Sequence, residues 1–107
     1  MDKDYSEITL DKPRRIRYRW QDVRELSTRL GEATIRDVLT KLAEAEPRTI
    51  AVALLLGLRH QEARITLEQV DARLDAYFRR DDPPGTLAEI LGAITEALQG
   101  TGLLRDR

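Results

Sequence analysis

The stretch over residues 49–60 constrains the fold of this chain more than any other, because residues 50–58 carry no charge and no strong hydrogen-bonding side chain. The segments around it alternate apolar with charged residues. A segment that is apolar on every side has to be covered on every side, since each exposed Leu or Ile forgoes roughly 1.5–3 kcal/mol. The sequence therefore predicts that residues 49–60 form the central buried element.

The same stretch is too short for a bilayer, which takes about 20 apolar residues. Periodicity alone does not separate a buried helix from a buried strand, and the strand remains an alternative at this point. Ala51, Ala53 and the run of leucines favour a helix, and Val52 opposes it only mildly. We interpret residues 49–60 as a helix whose last turn holds Arg59 and His60, where positive charge meets the negative helix end.

An N-terminal hairpin is predicted over residues 5–19, because two runs of period two flank a turn signal at residues 11–13. Ile8 and Leu10 share one face of the first run. In the second run, apolar and basic side chains are expected on opposite faces: Ile16, Tyr18 and Trp20 on one, Arg15, Arg17 and Arg19 on the other. Acidic residues in and after the first run are placed to pair with the arginines.

Helical spacing takes over at Trp20 and predicts four amphipathic helices in addition to the central one. Three of them begin at Thr34, Thr66 and Thr86, each followed three residues later by Asp, Gln or Glu, the spacing of a capping box. Pro47 blocks continuation of the helix before it, and residues 81–85 form a strong break. The last helix is expected to turn five side chains inward: Leu87, Ile90, Leu91, Ile94 and Leu98.

These elements predict one α+β domain that is predominantly α, with an N-terminal β-hairpin and about five helices packed around the central apolar helix. The 107 residues are the usual length of a single domain. We expect residues 1–4 to be frayed, residues 5–19 to form the hairpin, residues 20–99 to be helical and residues 100–107 to form a tail. The absence of cysteine and of a visible signal peptide fits a cytoplasmic protein, and no segment predicts a membrane span.

His60 is the only histidine, and its position beside Arg59 at a helix end is explained by the helix dipole without a catalytic role. The sequence offers Ser6 and Ser27 no convincing His–Asp companions for nucleophilic catalysis. No catalytic constellation emerges, so we predict that the chain is not an enzyme.

Asp71 and Asp75 lie four residues apart on one helical face. Paired carboxylates serve acid–base chemistry or hold a hard metal ion, but they are more often a solvated helix face. The glycines at residues 100 and 102 lack the pattern, the preceding strand and the lysine of a phosphate loop. We predict no metal site and no cofactor.

A possible basic surface is formed by four arginines of the hairpin, interleaved with aromatic residues: Arg14, Arg15, Arg17 and Arg19. Such mixtures occur on nucleic-acid-binding surfaces, which need the aromatic and basic side chains on one face. The alternation puts the aromatics opposite Arg15, Arg17 and Arg19, and the formal net charge of the chain is −1. Both observations argue against a nucleic-acid partner and favour a solvated edge of the hairpin.

An apolar surface is the other candidate for binding. Tyr77 and Phe78 are adjacent, so one helical stripe does not easily bury both, and Leu103 and Leu104 follow a glycine-rich stretch. Large exposed apolar patches mark partner sites. Ordinary core packing is the competing explanation for all four residues. If they are exposed, we predict that they contact another protein chain.

The order of features resembles the tail assembly chaperones of long-tailed phages and the related gene-transfer-agent family. The likeness covers residues 14–99 and consists of soft patterns of apolar residues, Gly and Thr. The matching stretches are Arg17-Tyr18-Arg19-Trp20, Val23-Arg24-Glu25-Leu26, Leu30-Gly31, Leu56-Gly57-Leu58-Arg59-His60, Ile65-Thr66-Leu67-Glu68-Gln69-Val70, and a last helix from Leu87-Ala88-Glu89-Ile90 to Ala97-Leu98.

This resemblance implies an assembly factor that binds the long helical tape-measure protein, keeps it in solution and helps recruit tail-tube subunits. It carries no set of site residues over to this chain. Self-association into a homo-oligomer is left open. Two other functions remain as alternatives: a small helical DNA-binding or regulatory module that uses the basic hairpin, and a structural subunit.

Overall fold

The computed structural model describes residues 4–32 and 34–102 as two short strands followed by five helices. The strands β1 (Ser6–Thr9) and β2 (Pro13–Ile16) pair as an antiparallel hairpin. The helices are α1 (Trp20–Leu30), α2 (Ile35–Ala43), α3 (Pro47–Leu58), α4 (Leu67–Arg79) and α5 (Leu87–Gln99). The predicted class, α+β and predominantly α with an N-terminal hairpin, is confirmed.

The central element α3 is a helix, and every residue from 49 to 58 is buried. It packs against α1, α2, α4, α5 and β2, so the prediction of a dry central helix is confirmed. Its bounds lie two residues earlier than predicted. Pro47 is its first residue, where the missing N–H costs nothing, and Arg59 caps its C-terminus. Arg59 and His60 therefore follow the helix and do not occupy its last turn.

The hairpin places one face on the helices, as its alternation predicts. Ser6, Ile8 and Leu10 are buried while Glu7 and Thr9 are exposed, and Glu7 lies opposite Arg15 in the register. The prediction for Trp20 is wrong, because this side chain is 66% exposed. Trp20 is the first residue of α1, so the strand alternation that would turn it inward has already ended.

Gly57 of α3 allows the end of the hairpin to lie directly on the central helix. The Arg17 N–H donates to the Gly57 carbonyl over 2.9 Å, and the Tyr18 hydroxyl donates to the Ala53 carbonyl over 2.6 Å. A Cβ at Gly57 would lie 2.5 Å from Ile16 Cγ2 and 3.0 Å from the Tyr18 ring. The close approach of the hairpin therefore depends on a residue without a side chain.

The helix ends follow the local signals in the sequence. The hydroxyl oxygens of Thr34, Thr66 and Thr86 each accept a hydrogen bond from the backbone N–H three residues on, and Thr66 completes the box because the Gln69 side chain accepts from the Thr66 N–H. Gly31 ends α1 in the left-handed conformation, with φ of 70°. The three predicted helix starts are confirmed.

The predicted inward stripe of α5 is correct except at its start. Ile90, Ile94 and Leu98 are fully buried and Leu91 is half-buried, but Leu87 is 41% exposed. Leu87 is the first residue of α5 and precedes the part of the helix that lies on the core. Within residues 4–32 and 34–102, no helix combines the length and apolar character that crossing a membrane requires.

Candidate partner-binding surface

A groove between α4 and the first half of α3 collects most of the large apolar side chains that the described residues expose, and we call it the α4 groove. Of the four large apolar side chains that the described residues expose, three line it: Leu67, Phe78 and Leu87, each 41–44% exposed. It consists of two clefts of about 430 and 400 Å³ that share Pro47 and Asp71. The remaining lining residues are Arg29, Ala45, Arg48, Ile50, Ala51, Val52, Leu74 and Asp75.

The packing of α4 explains why this surface is open. α4 packs chiefly against α3, and its buried side chains are Val70 and Tyr77. Leu67, Leu74 and Phe78 follow at positions i, i+7 and i+11, which places them on another stripe of the helix. The two stripes are adjacent, about 70° apart around the helix axis. Only the stripe of Val70 and Tyr77 is fully buried, whereas Leu67 and Phe78 are exposed and Leu74 is half-buried.

Tyr77 and Phe78 have different environments although they are adjacent. Tyr77 is completely buried, and its hydroxyl donates to the Thr86 carbonyl over 2.8 Å and accepts from the Thr86 N–H over 3.1 Å. Burial raises the pKa of Tyr77 above its ordinary value. The Phe78 ring meets the Tyr77 ring edge-on, with centroids 5.0 Å apart. Only Phe78 of this pair therefore faces the solvent, while Tyr77 holds the start of α5 in place.

Leu103 and Leu104, the other two residues predicted to contact a partner, lie outside the described residues. The described structure therefore places one of the four predicted residues, Phe78, on an open apolar surface. Leu67 and Leu87, which the sequence did not single out, join it in the groove.

The charges of the α4 groove are mixed. Arg48 and Asp71 both line it, and the described part of the chain supplies neither side chain with an ion pair. Asp75 is bound by Arg79 over 2.8 Å, with both side chains largely exposed. The Arg48 guanidinium donates to the Arg29 carbonyl over 3.3 Å. The groove is therefore an apolar strip with one cation at one end and one carboxylate near its middle, neither of them in an ion pair within the described residues.

The four arginines of the predicted basic surface are each held by another side chain. Arg14 binds Asp11 through two hydrogen bonds of 3.0 and 2.7 Å, and it also lies 3.3 Å from Glu62. Arg17 binds Asp4 over 2.8 Å and Arg19 binds Asp22 over 2.9 Å. The Arg15 guanidinium carbon lies 4.6 Å from the centroid of the Tyr5 ring. Most of this positive charge is compensated within the fold.

Arg59 belongs to an ion cluster that the sequence did not suggest. It contacts Asp22 over 2.7 Å and Glu25 over 2.9 Å. Burial alone would raise the pKa of Asp22, but hydrogen bonds from Arg19 and Arg59 hold it below its ordinary value. Asp22 and Arg59 are far apart in the chain, and only the spacing of Arg19 and Asp22 was visible as a local signal.

The other candidate groups have structural partners. His60 Nδ1 lies 2.9 Å from the Gly57 carbonyl, and burial lowers the pKa of this imidazole. The Ser6 hydroxyl donates to the Ala93 carbonyl over 2.6 Å, and the Ser27 hydroxyl donates to the Glu32 carbonyl. In the described ranges, no group of three or more His, Cys, Asp or Glu side chains is arranged to hold a metal ion.

Comparison of the chain with protein-family models, with curated proteins and with solved structures gives no match.

Proposed function

We propose that this chain is a phage-type tail assembly chaperone that holds a helix of the tape-measure protein in the α4 groove. The family assignment is supported by the sequence resemblance over residues 14–99. The mode of binding is supported by one observation, the convergence of Leu67, Phe78 and Leu87 on a single groove. The chain acts in this proposal by holding its partner, without chemical conversion.

The groove suits an amphipathic helix. From Leu67 to Phe78 the apolar stripe of α4 spans eleven steps, or about 16 Å at 1.5 Å per residue. That length corresponds to about three turns of a docked helix, which would present apolar side chains at i, i+3 or i+4, and i+7. Covering such a helix removes its apolar stripe from water and so prevents its aggregation before the tail is built.

The helix α4, which forms one wall of the groove, is held in position by contacts with neighbouring segments. Tyr77 anchors α4 to the start of α5, and Arg73 binds Glu62 through hydrogen bonds of 2.8 and 2.6 Å. A docked helix would therefore meet side chains that are already in position, which lowers the cost of ordering on binding.

Co-expression tests the proposal. A tape-measure reading frame is expected beside the gene for this chain, and its product is expressed with and without the chain. We expect the chain to raise the amount of tape-measure protein in the soluble fraction and to co-purify with it. Phe78→Glu places a charge in the groove and should abolish both effects.

Ala76→Glu is the matched control, since Ala76 lies on the same helix, is exposed and does not line the groove. This variant should behave as the wild type, and thermal unfolding followed by circular dichroism should show that both variants are folded. The proposal is wrong if the tape-measure protein is equally soluble without the chain, or if Phe78→Glu captures it as well as Ala76→Glu does.

A further inference from the structure

Trp20 marks a second surface that the proposed function does not use. It is the only tryptophan of the chain and, at 66%, the most exposed large apolar side chain of the described residues. It borders a cleft of about 310 Å³ at the junction of α1 and the start of α2, which we call the Trp20 cleft. The cleft shares no lining residue with the α4 groove: it is lined by Trp20, Val23, Arg24, Ser27, Thr28 and Ile35.

The charge of the Trp20 cleft is positive. Arg24 lies one helical turn after Trp20, and the described part of the chain gives it no ion pair, whereas Arg19 and Arg29 on the same segment are paired with carboxylates. Among residues 4–32 and 34–102, no acidic side chain lines the cleft. Ile35 is the first residue of α2, whose N-terminus is already capped by Thr34 and has Asp37 in its first turn, so the positive charge of the cleft comes from Arg24.

We propose that the Trp20 cleft docks an acidic amphipathic segment of a second protein, independently of the α4 groove. The apolar side of that segment would cover Trp20, Val23 and Ile35, and one of its carboxylates would pair with Arg24. Tryptophan and arginine are the side chains most enriched among residues that dominate binding energy. Arg24 supplies a planar, permanently charged donor that suits a carboxylate.

A nucleic-acid strand fits this surface less well. Binding a phosphate backbone takes several available cations, and the nearby hairpin arginines are engaged within the fold: Arg14, Arg17 and Arg19 bind carboxylates and Arg15 stacks on Tyr5. Arg24 is the one cation among the described residues that line this apolar cleft, and one lining cation matches a peptide carboxylate better than a phosphate backbone.

The sole tryptophan allows a direct test with two synthetic helical peptides of about five turns, one with Leu on one face and Glu on the other, and one with Lys in place of Glu. We expect the acidic peptide to shift Trp20 emission to shorter wavelength and to bind roughly tenfold or more tightly than the basic peptide. Added NaCl should weaken this binding.

Charge reversal sharpens the test. Arg24→Glu should lower affinity for the acidic peptide roughly tenfold and reverse the preference between the two peptides. Arg64→Glu is the matched control, because Arg64 is exposed, has no ion pair within the described residues and does not line the cleft. Trp20→Ala, measured by anisotropy of labelled peptide, should lose binding without a change in thermal unfolding.

Three results would overturn the proposal. The first is equal binding of both peptides, or an unchanged preference in Arg24→Glu. The second is a shift of Trp20 emission with rising concentration of the chain alone, which would identify a second copy as the occupant. The third is tighter binding of a single-stranded oligonucleotide than of the acidic peptide. None of them bears on capture of the tape-measure protein by the α4 groove.

Discussion

Arg59, the residue that caps α3, binds one carboxylate oxygen of Asp22 in α1 through two nitrogens. The distances to this oxygen are 2.8 Å from Nε and 2.7 Å from Nη2. Asp22 is completely buried, and its other oxygen accepts hydrogen bonds from the backbone and side chain of Arg19. The cluster joins the start of α1 to the end of the central helix. Since the carboxylate is buried and both of its oxygens are bound, its removal leaves Arg19 without its carboxylate partner and Arg59 with Glu25 alone.

We expect Asp22→Ala to lower the free energy of unfolding by about 2–3 kcal/mol, less than for a fully buried pair because Arg19 and Arg59 are partly exposed. A double-mutant cycle with Arg59→Ala, measured by urea unfolding, should show clear coupling between the two residues. The exposed pair of Asp75 and Arg79, with the same 2.8 Å contact, is the control and should show coupling within experimental error. Equal coupling in the two pairs would contradict the structural role of the cluster.

Acid should weaken the fold through its bound carboxylates. Hydrogen bonds to Arg19 and Arg59 outweigh burial and lower the pKa of Asp22, and the hydrogen bond to Arg73 is the main cause of the lowered pKa of Glu62. A carboxyl group with a lowered folded pKa stabilises fully above its unfolded pKa, near 4, and loses that contribution as the pH falls through the folded value. We expect urea unfolding to show that the free energy of unfolding falls below about pH 4. In Asp22→Asn, this dependence on pH should be weaker.

Protonation of His60 should lower the free energy of unfolding in a separate step, at higher pH than the carboxylates do. Burial is the main cause of its lowered pKa, so the folded chain binds its proton less readily than the unfolded chain does. The stabilisation of the fold by neutral His60 is fully present above the ordinary pKa of 6.5, and it diminishes as the pH falls from there towards the folded pKa. We expect His60→Gln to remove the part of the decline that begins near pH 6.5, and a pH dependence identical to wild type between pH 7 and 5 would contradict this.

Two glycine substitutions should act in opposite directions. Gly57→Ala raises helix propensity but places a methyl group 2.5 Å from Ile16 Cγ2, so we expect a net loss of about 1–3 kcal/mol. Gly92→Ala, in α5, meets nothing within 4 Å and should gain about 0.5–1 kcal/mol. Thermal unfolding of both variants provides the measurement. A stabilising Gly57→Ala would show that the hairpin does not approach α3 as closely as described.

The fold was predictable where the signals are local and agree with each other. Residues 50–58 are apolar on all sides, which required a covered element, and their alanines and leucines favoured a helix over a strand. The three Thr caps marked helix starts. The errors fall at helix ends: α3 ends two residues earlier than predicted, and the other two errors are at first helical residues. Trp20 and Leu87 match an apolar period, but each precedes the first buried residue of its helix. The spacing of apolar residues therefore identifies the buried face of a helix or strand, but it does not show at which residue that face stops contacting the core.

The candidate surface was only partly predictable for a different reason. The adjacency of Tyr77 and Phe78 indicated that one stripe does not easily bury both, and the structure buries Tyr77 and exposes Phe78. Leu67 and Leu87 join it only because the fold brings α4 and the start of α5 beside Pro47, which lines both clefts. The ion pair of Asp22 and Arg59 was not predictable from the sequence for the same reason, since the two residues are 37 positions apart. Local spacing does not report contacts between distant segments.

Site-specific photo-crosslinking tests the central claim most directly. A photoreactive phenylalanine analogue is placed at position 78, inside the α4 groove, or at position 76, outside it, and the chain is irradiated in complex with the tape-measure protein. We predict a covalent adduct from position 78, mapped by mass spectrometry to an amphipathic helical segment of the partner, and little or none from position 76. Equal adducts from both positions, or an adduct from position 76 alone, would contradict binding in the α4 groove.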